Sequence, residues 1–194
     1  MADLKIGCVI MAAGNAARFG SNKLMRQIGG KSIFCRALEA IPTQCFEKVV
    51  VVSQYTGFTE YVKDFPFTFI HNDLPEKGIS HTIELGLFAL THCDGILFCV
   101  SDQPLLRRET IAALVALWRE DPEKIVAPAH KGMRGNPCLF PARFFSELLE
   151  LSGDKGGSVV IRHHEEDLLL LEVDPGELMD ADTPEALAEI ERAL

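Results

Sequence analysis

Ile6-Gly-Cys-Val-Ile-Met-Ala-Ala-Gly-Asn-Ala-Ala-Arg-Phe-Gly-Ser-Asn-Lys23 joins an apolar run to a loop carrying two glycines and two cations. Residues 4–12 are short, continuous and rich in Ile and Val, the pattern of a strand buried on both faces. The loop directly follows. Gly14 and Gly20 let backbone N–H groups approach an anion closely, and such concave backbone turns favour phosphate. Arg18 and Lys23 stand where charge on phosphate oxygens can be balanced. Two common phosphate loops are excluded by residue. A dinucleotide fingerprint needs G-x-G-x-x-G, which Asn15 and Ala16 do not supply. Gly30-Lys31-Ser32 ends like a P-loop, but the first glycine of that motif falls on Met25, so Lys31 is assigned to the start of a helix.

Outward from this loop, residues 48–53, 68–70 and 95–100 read as further buried strands. Residues 32–41, 78–90 and 110–118 read as the helices among them; Ile79, Ile83, Leu87 and Leu90 follow the helical period. Strands alternating with helices imply a mostly parallel, Rossmann-like sheet covered on both faces, a three-layer α/β/α architecture. In the second half, residues 125–128 read as a fifth strand. Residues 135–140 read as a short strand near an edge, because Pro137 and Pro141 disfavour a central place. Helices are expected at 144–151 and 158–163 and a late strand at 168–173. The last helix spans 183–194, with Thr183 as cap, Pro184 at its first position and Glu185 in the first turn. No linker or repeat divides the chain, so residues 1–194 read as one domain. Ligands in such sheets lie beyond the carboxyl ends of the strands.

The bulk numbers narrow the functions. The chain has 194 residues, 47% of them apolar, and a net charge of −9. An acidic protein gains nothing from counterion release, so nucleic acid is excluded as a partner. No apolar run nears the ~18 residues of a membrane span, and no basic segment precedes a removable apolar one. The six cysteines form no C-x-x-C pair and read as buried free thiols in a reducing, cytoplasmic setting.

Val100-Ser-Asp102-Gln103-Pro104 follows the fourth strand, where an aspartate reaches the crevice shared with the glycine loop. Mg²⁺ takes hard oxygen ligands, commonly one or two carboxylates with substrate phosphates, and Asp102 suits that task; capping a helix is its other use. Asp180 and Asp182 are candidates for a second carboxylate, with capping or solvent exposure as their alternatives. Gly78, Ser80 and Thr82 stand at the start of a helix, where anions bind, though Ser80 and Thr82 also suit an ordinary first turn. Gly135-Asn136-Pro137 and Gly153-Asp154-Lys155-Gly156 are turn-forming segments. His81 reads as a surface or packing residue. His163-His164-Glu165-Glu166 reads as a solvated helix end, because neighbours on a helix point apart and no further His or Cys completes a metal set.

Ala12-Ala13-Gly14-x-x-x-Arg18-x-Gly20-x-x-Lys23 resembles the signature of nucleotidyltransferases that carry a mononucleotide to a phosphorylated acceptor. It is most similar to the molybdopterin nucleotidyltransferase family, the molybdenum cofactor cytidylyltransferase type, and also resembles the sugar-phosphate nucleotidyltransferases. The order of the motifs is the stronger signal: glycine loop, Asn72 with the Gly78–Thr82 segment, D-Q-P, G-N-P, G-D-K-G and D-x-D-T-P. Ala16 departs from the Ser common in the family and carries no assigned role.

The resemblance implies a nucleotide-diphospho-sugar-transferase-like topology, with about residues 1–105 binding nucleotide and about 106–194 binding acceptor. It implies nucleotide contacts from Ala12, Ala13, Gly14, Arg18, Lys23, Gly78, Ser80 and Thr82. Asn136, Pro137, Asp154 and Lys155 would meet the acceptor. Asp102 would bind Mg²⁺, with Asp182 preferred over Asp180 as its partner, and Arg18, Lys23 and Asp102 would act in catalysis. In the family, Ala-Ala-Gly goes with CTP and Ala-Gly-Gly with GTP; a Cβ at Ala13 narrows the space near the base, which favours a pyrimidine. The expected reaction is CMP transfer from CTP to molybdenum-bound molybdopterin with release of pyrophosphate, the product passing to a recipient molybdenum enzyme. Two other readings stay open: transfer to a sugar or polyol phosphate, and a non-catalytic protein that binds the cofactor and delivers it to molybdenum hydroxylases.

Overall fold

Strand β1 (Ile6–Met11) runs through the middle of the sheet, and its alternating side chains feed two separate cores. The computed structural model describes residues 4–13 and 22–194. In chain order come a small hairpin, β2 (Gln27–Ile28) and β3 (Lys31–Ser32), then α1 (Ile33–Glu39), β4 (Lys48–Ser53), α2 (Thr59–Val62), β5 (Thr68–His71), α3 (Ile79–Ala89) and β6 (Gly95–Val100). There follow α4 (Arg108–Glu120), β7 (Ile125–His130), β8 (Met133–Arg134), β9 (Cys138–Pro141), α5 (Phe145–Leu149), α6 (Ser158–His163), β10 (Leu168–Glu172) and α7 (Pro184–Ala193).

The sheet order is β10-β7-β9-β6-β1-β4-β5, with β8 paired to β7. β1 pairs in parallel with both β4 and β6, β4 with β5, and β7 with β10; β9 runs antiparallel to β6 and β7. The chain thus builds outward from β1 to β5, then returns to place β6 on the other side of β1. Such a reversal opens a crevice beyond the carboxyl ends of the two strands. On one face Ile6, Cys8 and Ile10 pack with Phe34 and Leu38 of α1, Leu114 and Trp118 of α4, and Leu187 and Ile190 of α7. On the other, Val9 packs with Ile83 and Leu87 of α3, Leu148 of α5 and Val160 of α6. Ile6, Val9 and Ile10 are at most 1% exposed, and each such side chain contributes about 1.5–3 kcal/mol by leaving water. The three-layer, mostly parallel sheet matches the pattern of alternating runs.

Three placements differ from the sequence reading. β9 is an interior strand, not an edge: Pro137 lies before the paired run, and Pro141 sits at its last position, opposite Gly95, so neither interrupts the ladder. Lys31 lies in the β2–β3 hairpin, whose turn uses Gly29 and Gly30 at positive φ; Ser32 caps α1 by accepting the Cys35 N–H at 3.2 Å. His164 is half-buried against the Phe144 ring, 4.8 Å between centroids, with Nε2 2.9 Å from Glu147 Oε2, so this helix end is packed as well as solvated. Thr183 caps α7 as expected, accepting the Ala186 N–H at 3.1 Å. All six cysteines are free. No helix among the described residues is long and apolar enough to cross a membrane.

Candidate active site

The end of β1 is anchored from both neighbours. Ala12 N–H donates to Val52 O at 2.9 Å, Ser53 Oγ to Ala12 O at 2.8 Å, Gln54 Nε2 to Ala13 O at 2.9 Å and Ser101 Oγ to Met11 O at 2.9 Å. Ala12 is fully buried behind this network, while Ala13 reaches a cavity. Gly14, Arg18 and Gly20 lie outside the described residues. The chain returns at Asn22, whose side chain accepts the Leu24 N–H at 3.1 Å and caps a short turn, Lys23–Met25.

That turn points Lys23 at two carboxylates. Its Nζ lies 2.9 Å from Asp102 Oδ2 and also hydrogen-bonds Asp182. Asp102 comes from the loop after β6, Asp182 from the segment before α7. Burial opposes the Lys23 charge, but the hydrogen bonds to Asp102 and Asp182 outweigh it and raise its pKa above the ordinary lysine value. Asp180 sits beside this group. Burial first, and then the Asp102 carboxylate, push its pKa above the ordinary carboxylate value, while the hydrogen bond from Gln103 Nε2 at 2.9 Å works the other way.

Two adjoining cavities lie at this end of the sheet, and Lys23 and Asp102 line the first of them. One, of about 270 Å³, is lined by Ala13, Lys23, Gly78, Thr82, Asp102 and Asp154, among others. The other, of about 300 Å³, has an apolar wall of Ile79, Ile83, Phe98, Phe140 and Leu148, and a polar side of Arg134, Asn136 and Asp154. Met11, Ile79, Val100 and Asp154 belong to both. Gly78 lines the first cavity. Its φ of +79° favours glycine, and an added Cβ would come within 2.5 Å of the Gly153 carbonyl. The G-D-K-G loop is therefore pressed against the start of α3, with Ser80 N–H donating to Gly153 O at 3.1 Å.

Of the residues singled out from sequence, Ala13, Lys23, Gly78, Thr82, Asp102, Asn136 and Asp154 line these cavities, and Asp182 joins through Lys23. Ser80 lines neither, because its hydroxyl turns back to Lys77 O at 3.3 Å as a first-turn bond. Pro137 and Lys155 also line neither; Lys155 is exposed. His81 is buried, with Nδ1 2.7 Å from Glu84 Oε2. Sequence reasoning missed Arg134 and Cys138. Arg134 NH1 lies 3.3 Å from Cys138 Sγ, yet burial keeps that thiol's pKa raised against the pull of the guanidinium, which suits packing and not nucleophilic attack.

The donors here are all hard oxygens, and an ammonium already bridges two of the carboxylates. Such oxygen donors suit a hard divalent cation. Away from this site, His164, Glu166 and Asp167 bring three ligand atoms within 4.8 Å of one another, but Asp167 is already paired with Lys124 at 2.9 Å and Arg143 at 2.7 Å.

The chain is 28% identical over 96% of both lengths to the purine catabolism protein PucB of Bacillus subtilis. It is 27% identical to a probable molybdenum cofactor guanylyltransferase of Natranaerobius thermophilus, over 66% of this chain and 62% of that protein. Its fold matches the crystal structure of Rv0371c from Mycobacterium tuberculosis in complex with manganese, with a TM-score of 0.76 at 18% identity over 98% of this chain and 100% of that one. The sheet order and flanking helices are those of the nucleotide-diphospho-sugar transferase fold. Residues 8–168 match the MobA-like NTP transferase domain; the chain belongs to that family and is a nucleotidyltransferase.

Proposed function

We propose that this nucleotidyltransferase moves CMP from CTP to molybdenum-bound molybdopterin, releasing pyrophosphate. The observation that carries the reading is the Lys23 ammonium held between Asp102 and Asp182, with Lys23 and Asp102 on the wall of the first of two joined cavities. Asp102 and Asp182 would hold a divalent cation, Mg²⁺ in this reading, which neutralises charge on the phosphates. The manganese complex of Rv0371c is consistent with such a site. Residues 1–105 serve the nucleotide and residues 106–194 the acceptor.

The triphosphate lies in the cavity lined by Ala13, Lys23, Gly78 and Thr82, with Gly14 and Arg18 assigned to the same ligand by family resemblance; Ala12 and Ser80 support this cavity from behind. Lys23 supplies a fixed positive charge for the phosphate oxygens. The acceptor's terminal phosphate oxygen attacks the α-phosphorus in line. The new P–O bond forms as the α–β bridging bond breaks, and its electron pair leaves with pyrophosphate. No side chain forms a covalent bond; positioning and electrostatics lower the barrier. The Ala13 Cβ narrows the wall at the base and supports a pyrimidine. The aromatic and aliphatic wall of Ile83, Phe98 and Phe140 supports a heterocyclic acceptor over a sugar or polyol phosphate, and Asn136 and Asp154 offer its polar contacts; Pro137 and Lys155 are assigned to the same ligand by family resemblance. The product then passes to a recipient molybdenum enzyme.

The test is pyrophosphate release with Mg²⁺, each NTP, and either molybdenum-bound molybdopterin or sugar and polyol phosphates. CTP with the pterin is expected to turn over fastest. Lys23→Ala or Asp102→Ala is expected to lower the rate by about 10²–10³, roughly 2.7–4 kcal/mol at the barrier. Faster turnover on GTP or on a sugar phosphate, or unchanged rates in both variants, contradicts the proposal; binding without pyrophosphate release would mark a delivery protein instead.

A further inference from the structure

We propose that Glu177 is a positioning residue that fixes the second acidic arm of the site, an inference that rests on the reading in which Asp102 and Asp182 hold a divalent cation. Glu177 is 4% exposed, deep for a carboxylate, and lies on a short turn, Pro175–Leu178, five residues before Asp182. Both of its oxygens are engaged from one place in the fold. Oε2 accepts the Arg107 N–H at 3.0 Å and the Thr110 hydroxyl at 2.6 Å, and Oε1 accepts Arg107 NH2 at 2.6 Å. These donors belong to the start of α4, whose first N–H groups have no helical partner. A carboxylate there is favoured by the helix dipole and by charge-assisted bonds. Burying this charge is costly without such partners, so the contact defines one seat for the strap that carries it.

From that seat the strap makes a further contact at nearly every residue. Leu178 packs so closely on Gly135 that a Cβ there would lie 2.7 Å from Leu178 Cδ2. Gln103 Nε2 donates to Leu178 O at 3.3 Å and to Asp180 Oδ1 at 2.9 Å. Ala181 N–H donates to Asp102 O at 2.8 Å. Asp182 then meets Lys23. The exposed Asp182 side chain has no burial of its own to hold it, so its place opposite Asp102 is set through this line of contacts, with Glu177 as the anchor.

The experiment titrates Mn²⁺ alone into the intact protein by electron paramagnetic resonance of the free ion. It covers wild type, Glu177→Gln, Thr110→Val and Asp102→Asn, with thermal unfolding recorded for each. Glu177→Gln keeps the shape but loses the charge, and is expected to weaken Mn²⁺ binding by about 10–100-fold, as loss of an outer partner of a metal ligand does. Pyrophosphate release in this variant is expected to recover at saturating Mn²⁺, which a merely structural defect would not do. Should Glu177→Gln fail to fold, Thr110→Val removes one donor and is expected to weaken binding by roughly fivefold. Wild-type Mn²⁺ affinity in the folded Glu177 and Thr110 variants, with Asp102→Asn impaired, overturns the role of Glu177 alone. Unchanged affinity in Asp102→Asn overturns the metal assignment itself, and this inference with it.

Discussion

Gly78 shows how much a single residue decides here. Its positive φ and its contact with Gly153 place the start of α3 and the G-D-K-G loop side by side, so that Thr82 and Asp154 face one cavity. An alanine at 78 meets both the strained backbone and a carbonyl 2.5 Å from its Cβ. Gly78→Ala is therefore expected to cost about 1–3 kcal/mol of stability and to lower turnover together with nucleotide affinity. Urea unfolding beside steady-state kinetics measures both; a variant with wild-type stability and KM would show that the two loops are not held by this contact. The sequence marked Gly78 as part of a nucleotide segment, but the reason for the glycine lies in a loop some 75 residues further on, which no local pattern discloses.

At the scale of elements, the connections at the amino ends of β7 and β10 are pinned by one carboxylate. Asp167, just before β10, takes Lys124 from the turn before β7 and Arg143 from the turn after β9. The hydrogen bond from Lys124, then that from Arg143, lowers its pKa below the ordinary aspartate value. Its stabilising effect is therefore present above the unfolded value, about 3.9, and is lost as pH falls through the lower folded value. Asp167→Asn is expected to be less stable than wild type at pH 7, with the gap closing below about pH 4. Denaturant unfolding at several pH values checks this; a gap that does not change with pH would mean that packing, and not the ion pairs, accounts for it.

For the whole molecule, the apolar runs at 48–53 and 95–100 were legible because strands buried on both faces need nothing else to announce them. β9 was legible as a strand but its interior place was not, because proline statistics describe the middle of a ladder, while Pro141 sits at its end. Asp102 and Lys23 were legible as candidates because each follows a strand in a recognisable motif. Their meeting with Asp182 was implied only by resemblance. The Glu177 anchor was illegible, since its partners Arg107 and Thr110 lie 70 and 67 residues away and share no pattern with it. Folding supplies that information by bringing the strap back over the carboxyl ends of β1 and β6.

The most direct test of the central claim is a crystal structure with CTP and Mn²⁺, with the metal located by its anomalous signal. One peak is expected between Asp102 and Asp182, with the triphosphate beside Lys23 and the cytosine near Ala13. A peak at His164, Glu166 and Asp167, or a triphosphate bound away from Asp102, would contradict it.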